Sequence, residues 1–109
     1  KALDRTDFQT AGDELLRAID LQPRNGLYAE GMALVYAESG LLDLAYEEHV
    51  RSARLRPGNP YVAVQAARAA IVVNRLDVAR EWYEQVLLDD PNGSSTYVEA
   101  TRFLLELGR

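Results

Sequence analysis

The chain has 109 residues, a formal net charge of −5 and no cysteine, and 48% of its residues are hydrophobic. This composition is typical of one small folded domain and excludes a disordered chain. The acidic balance argues against binding to nucleic acid, and the lack of cysteine excludes disulfides and thiolate chemistry.

The same composition leaves the compartment open, because a chain without cysteine suits the cytoplasm and the periplasm equally. No apolar run has the length of a membrane span, so direct membrane insertion is not expected. Arginine outnumbers lysine eleven to one, which favours a bacterial source with a GC-rich genome.

Apolar residues recur at steps of three and four along most of the chain, which indicates helices and no strands. Asn59 followed by Pro60 predicts an N-cap and a first helical residue, and Ser94 or Ser95 is a candidate cap for the last helix. Six helices are predicted, at residues 7–21, 26–39, 42–55, 60–73, 76–89 and 94–107.

The prolines mark a regular period along the chain, since Pro23, Pro57 and Pro91 are equally spaced. Other positions follow the same period. They are an alanine position (Ala11, Ala45, Ala79), a position with a large side chain (Leu15, His49, Tyr83) and a series rich in turn residues (Thr6, Gly40, Asn74, Gly108). A fixed period of about 34 residues is the signature of a repeat architecture, in which stacked helix pairs build a continuous core.

These residues resemble the tetratricopeptide repeat family, whose pattern places Trp, Leu-Gly, Tyr, Ala, Phe and Pro at set positions within one repeat of the same length. The proline and alanine positions are filled three times and Tyr36 fills the tyrosine position once, whereas the family's glycine is never present. The resemblance covers the whole chain and implies an all-α, right-handed superhelical solenoid of antiparallel helix pairs.

The period divides the chain into a partial repeat at 1–25, complete repeats at 26–59 and 60–93, and the first helix of a further repeat at 94–109. Leu104 and Leu107 on the last helix are apolar where the family has a polar closing helix. We therefore expect a segment of a longer array whose open ends can self-associate. The alternative is that residues 94–109 themselves form a cap.

The resemblance implies a concave groove, lined by the first helix of each repeat, in which a peptide lies. Spacings of three and four predict which side chains share that face. The predicted groove residues are Leu27, Glu30 and Leu34 on the second helix, Tyr61, Val64 and Arg68 on the fourth, and Val98 and Arg102 on the sixth; Ala37, Ile71, Ser95 and Leu105 continue these stripes.

Arg68 and Arg102 are one period apart, and two guanidinium groups at equivalent positions suit an acidic peptide. The alternative is that they are solvated or pair with Glu30, Glu99 or Glu106. The family's clamp for terminal carboxylates needs Lys and Asn at positions that here hold Glu30, Gly31, Leu34, Tyr61 and Gln65, so that clamp is not expected.

No nucleophile–base pair, phosphate-binding loop or metal-ligand cluster appears in the sequence, so neither catalysis nor a cofactor is expected. His49, the only histidine, occupies a position of large core side chains and is interpreted as a core residue. The sequence favours a non-catalytic scaffold that binds a peptide or protein segment. The alternative is a spacer in a long solenoid, for example in a bacterial secretion or exopolysaccharide export assembly.

Overall fold

The computed structural model describes residues 5–21, 25–90, 92 and 94–107, and within these residues it contains six α-helices and no strand. The helices are α1 (Arg5–Leu21), α2 (Gly26–Glu38), α3 (Leu42–Leu55), α4 (Pro60–Val72), α5 (Leu76–Asp89) and α6 (Ser95–Leu107). The predicted boundaries are close to the observed ones; the largest difference is at α1, which begins at Arg5 instead of residue 7. Pro23, Pro91 and Gly108 lie outside the described residues.

The chain forms two compact units, Lys1–Leu55 with α1 to α3 and Arg56–Arg109 with α4 to α6. In the first unit, α2 packs against both α1 and α3. Gly31 permits the close approach of α1, because a Cβ at this residue would lie 2.9 Å from Cδ2 of Leu15. Small residues fill much of the rest of this core, which contains Ala29, Met32, Ala33, Ala45 and Ala53.

In the second unit, α5 packs against both α4 and α6. Its core consists of Ala63, Val64, Ala67, Tyr83, Val86 and Ala100, with Trp82, Leu87, Phe103 and Leu104 packed around them. The rings of Tyr83 and Phe103 are tilted by 41° with centroids 4.7 Å apart, a favourable aromatic arrangement. Tyr83 therefore sits where α4, α5 and α6 meet.

The N-termini of α2 and α4 lie at equivalent positions of the repeat and are capped in the same way. The side-chain oxygen of Asn59 accepts hydrogen bonds from the backbone N–H groups of Tyr61 and Val62, at 3.0 and 3.4 Å, and Pro60 follows it, as the sequence predicted. One period earlier, Asn25 accepts from the N–H of Leu27 at 3.0 Å. These bonds satisfy donors that the first turn of a helix leaves open.

The turns that end α2 and α4 are also equivalent. Gly40 and Asn74 have φ angles of 78° and 60°, in the left-handed region. The N–H of Leu41 donates to the carbonyl of Tyr36 at 2.8 Å, and that of Arg75 donates to the carbonyl of Ala70 at 2.7 Å. This is the Schellman pattern, in which glycine or asparagine ends a helix. Thr6, the first member of the same series, lies inside α1 instead.

Candidate functional site

In the first unit, the predicted binding residues of α2 lie on one side of that helix. Leu27 and Leu34 are 61% and 59% exposed, and Glu30 between them is half-buried. Exposed leucines two turns apart form an apolar stripe that a neutral or apolar segment can cover. We call Leu27, Glu30 and Leu34 the α2 stripe.

In the second unit, four of the predicted residues are exposed, namely Tyr61, Arg68, Val98 and Arg102. Val64 is not, since it is only 2% exposed and belongs to the core of this unit. The prediction that Val64 lines a groove is therefore wrong. Its spacing from Tyr61 and Arg68 gave the correct side of the helix, but α5 and α6 cover that part of α4.

Arg68 forms an ion pair with Glu99, and this contact crosses from α4 to α6. Its Nε donates to Oε2 of Glu99 at 2.8 Å, and Nη2 donates to Oε1. The guanidinium therefore holds both oxygens of the carboxylate, which is the strong bidentate geometry. The Arg68 and Glu99 side chains are 54% and 29% exposed, so solvent partly screens the pair.

The hydroxyl of Tyr83 donates a third hydrogen bond to this carboxylate, to Oε2 of Glu99 at 2.7 Å. The bond to Arg68 and the one from Tyr83 lower the pKa of Glu99 although partial burial opposes them. Burial, together with the bond to Glu99, raises the pKa of the Tyr83 hydroxyl. The carboxylate thus stays ionised and links one residue from each helix of the unit.

Among the alternative partners that the sequence offered for the arginines, Glu99 is correct for Arg68. Tyr83, interpreted from the sequence only as a packing residue, also acts as a hydrogen-bond donor, and sequence reasoning missed this role. A tyrosine where the other repeats have Leu15 and His49 was the available signal. A buried tyrosine hydroxyl normally needs a polar partner.

Arg102 is the period equivalent of Arg68, but its surroundings differ. It forms no salt bridge with any described residue, whereas Arg68 is paired. It borders a hollow of about 310 Å³ on α6, together with Val98 and Leu105, which are 47% and 64% exposed. Tyr97, Thr101 and Glu106 complete the lining. The charge of Arg102 is therefore placed beside an apolar surface.

Near the start of α6, polar contacts support the helix. The carboxylate of Asp90 accepts hydrogen bonds from the hydroxyls of Ser94 and Thr96, and these bonds lower its pKa. The carbonyl of Ser94 accepts from the N–H of Val98 at 3.0 Å, which places Ser94 at the N-cap. Asp90 thus has a structural role at a helix N-terminus, where a negative charge is favourable.

In the first unit, His49 is half-buried and its Nδ1 has no hydrogen-bond partner among the described residues. Burial lowers its pKa, while the nearby carboxylate of Glu30 acts in the opposite direction. Over the described part of the chain, no three His, Asp or Glu side chains cluster in a way that suits a metal ion. In the same residues, no helix has the length and apolar character of a membrane span.

The fold is that of known tetratricopeptide structures. The first such domain of Spaghetti (RPAP3), bound to the HSP90 peptide SRMEEVD, superposes with a TM-score of 0.72 at 19% identity, covering 96% of this chain and 83% of that one. The Yersinia enterocolitica type III secretion chaperone SycD, in complex with a peptide of the translocator YopD, gives 0.71 at 16% identity, with 94% and 79% covered. The tetratricopeptide domain of Arabidopsis OM64 gives 0.69 at 17% identity, with 93% and 84% covered.

No protein-family model matches the chain, and no curated protein is a significant match to it. The structural likeness confirms the predicted all-α helical solenoid, because similar structures cover nearly the whole chain at TM-scores near 0.7. At such low sequence identities this likeness establishes the fold alone. The bacterial source remains a prediction.

Proposed function

We propose that this chain is a non-catalytic docking module that binds a peptide or protein segment on the exposed faces of α4 and α6, which carry groove residues predicted from the sequence. The observation that carries this proposal is a set of exposed apolar and cationic side chains on α4 and α6 of the second unit. Its members are Tyr61, Arg68, Ile71, Arg102 and Leu105, which we call the docking surface. Rigid helices that display such a surface bind without a large ordering cost.

The charges of this surface favour an acidic segment, with Arg102 as its principal contact. Two of the five N–H donors of Arg68 are already used by Glu99, and the pair is close to neutral. A carboxylate of the bound segment therefore gains more at Arg102 than at Arg68. Tyr61, which is 55% exposed, offers a rigid ring with a polar end and supplies apolar contact area.

The structural neighbours support segment binding as a class of function. The Spaghetti (RPAP3) domain is bound to the peptide SRMEEVD, which contains three acidic residues, and SycD is bound to a peptide of YopD. We do not assign either ligand to this chain, because Glu30, Gly31, Leu34, Tyr61 and Gln65 stand where the family's terminal-carboxylate clamp has Lys and Asn.

The α2 stripe is proposed as a second contact surface, on the first unit. Its two exposed leucines favour aliphatic side chains of a partner, and Glu30 disfavours a carboxylate there. We also retain, as part of this proposal, the division into repeats at 26–59 and 60–93 with further repeat segments at 1–25 and 94–109.

The proposal is tested by selecting a random peptide display library on the immobilised chain and measuring affinities of enriched peptides by fluorescence anisotropy. We expect sequences that combine Asp or Glu with aliphatic residues. Arg102→Glu should weaken the binding of these peptides about tenfold or more, because it replaces attraction of their carboxylates by repulsion. Glu99→Gln should strengthen the binding of these peptides several-fold. It removes the negative charge that competes with the peptide for Arg68, and it retains a hydrogen-bond acceptor for Tyr83.

Arg80→Glu is the matched control, because Arg80 is an exposed arginine of the same unit on α5. Its affinity should equal that of the wild type. Enriched peptides that bind equally well to the Arg102→Glu protein would refute the docking surface. A selection that enriches no sequence would favour the alternative, in which the chain is a spacer of a long solenoid in a secretion or export assembly.

A further inference from the structure

Glu99 is adjacent to both arginines of the docking surface. Its carboxylate holds the guanidinium of Arg68 through Nε and Nη2. Arg102 follows Glu99 by three residues on α6, and side chains at this spacing are neighbours on the surface of a helix. Arg102 itself forms no salt bridge with any described residue. The two arginines therefore present different chemistry to a bound segment, although each lies next to the same carboxylate.

The hydroxyl of Tyr83 keeps Glu99 on Arg68. Tyr83 is only 2% exposed, and its hydroxyl donates to Oε2 of Glu99 at 2.7 Å and to no other described residue. If Glu99 moved away, this buried donor would lose its acceptor, which is costly. A segment carboxylate that displaced Glu99 would also leave the Glu99 side chain, which is 29% exposed, without its cation. Glu99 therefore remains on Arg68 when a segment binds.

The remaining donors of Arg68 suit a neutral acceptor. Glu99 uses two of the five N–H groups, and the Arg68 side chain is 54% exposed, so a segment can reach the others. A second carboxylate at this guanidinium is repelled by the carboxylate of Glu99. A neutral carbonyl oxygen accepts the same hydrogen bond without that repulsion.

We propose that Glu99 determines how many charges the bound segment carries. The segment has one carboxylate, which Arg102 binds, and a neutral carbonyl group of the backbone or of Asn or Gln, which Arg68 binds. Aliphatic groups lie beside the carboxylate, because Val98 and Leu105 are exposed next to Arg102. This inference rests on the proposed function and adds the number and the placement of the acidic residues.

Parallel selections from one random peptide library test the role of Glu99. The wild type should enrich peptides with one Asp or Glu, and Glu99→Gln should enrich peptides with two, because its Arg68 is free to bind a second carboxylate. Glu84→Gln is the matched control, since it changes the net charge equally and Glu84 is an exposed residue of α5. It should enrich the same peptides as the wild type.

Two results of the selections would overturn the proposal. One is a wild type that enriches peptides with two acidic residues as often as Glu99→Gln does. The other is an equal rise in acidic residues for Glu84→Gln, which would assign the effect to net charge alone. Circular dichroism of both variants shows that the fold is retained.

A titration with sodium acetate tests the two arginines without a peptide. The NMR signals of the arginine Nε–H groups are followed, and sodium chloride at equal concentration corrects for ionic strength. In the wild type, acetate should shift the Arg102 signal more than the Arg68 signal, and in Glu99→Gln it should shift both. The comparison within the wild type does not depend on the folding of a variant.

The acetate titration also separates this inference from the proposed function. Equal shifts of Arg68 and Arg102 in the wild type would overturn the role of Glu99, even if peptides bind. The expected shifts together with a selection that enriches no peptide would contradict segment binding and support the different chemistry of the two arginines. The absence of a shift at Arg102 and of any enriched peptide would overturn both proposals.

Discussion

The hydroxyl of Tyr83 on α5 lies 2.7 Å from Oε2 of Glu99 on α6, and the same oxygen lies 2.8 Å from Nε of Arg68 on α4. One carboxylate therefore receives donors from both other helices of the second unit. Tyr83 itself is only 2% exposed, so its hydroxyl has little access to water. This contact both stabilises the unit and occupies Arg68 on the docking surface.

Tyr83→Phe should destabilise the second unit by about 1–2 kcal/mol, because the ring packing remains while a hydrogen bond to a charged group is lost. Trp82 is the only tryptophan and packs beside this core, so its fluorescence during urea unfolding reports on the second unit. Tyr61→Phe is the control, since the Tyr61 side chain is exposed. A Tyr83→Phe midpoint equal to that of the control would show that the bond contributes nothing to stability.

Acidification should weaken the first unit through His49. Because burial lowers the pKa of His49 below its ordinary value of 6.5, the unfolded chain binds the proton more readily than the folded one. The contribution of neutral His49 to stability is therefore fully present above about pH 6.5. It is lost as the pH falls from the pKa in the unfolded chain to the lower pKa in the folded one. His49→Leu should lose this dependence.

The measurement is urea unfolding followed by circular dichroism at about pH 7.5 and about pH 5.5. His49 is the only histidine, so the difference between wild type and His49→Leu isolates its contribution from that of the carboxylates. Leucine suits the position, because Leu15 is its equivalent one period earlier. An identical pH dependence in both proteins would contradict a lowered pKa.

Gly40→Ala should cost about 1 kcal/mol, and the cause is backbone conformation alone. The φ angle of Gly40 is +78°, and an added Cβ would meet no atom within 4 Å. Gly40→Asn should cost clearly less, since asparagine tolerates this region and Asn74 occupies the equivalent turn. Thermal unfolding of the three proteins checks the order; equal losses for Ala and Asn would mean that the turn can relax.

The repeat period determined most of the fold before any contact was known. The helix boundaries, the caps at Asn25 and Asn59 and the left-handed turns at Gly40 and Asn74 are all local features. Each depends on residues within one or two helical turns, where backbone sterics and side-chain hydrogen bonds act through short sequence separations. The sequence therefore predicted the helix boundaries, the cap at Asn59 and the turn series with Gly40 and Asn74, whereas the cap at Asn25 and the left-handed φ angles were found in the structure.

Only the tertiary structure decided which residues on the correct helix face are accessible. Val64 and Arg68 share one side of α4, but α5 and α6 bury the first and leave the second exposed. The partner of Arg68 is 31 residues away, and the donor Tyr83 lies on the helix between them. Helical spacing determines only the side of its own helix on which a residue lies. Contacts between residues that are far apart in the sequence depend on how three helices pack.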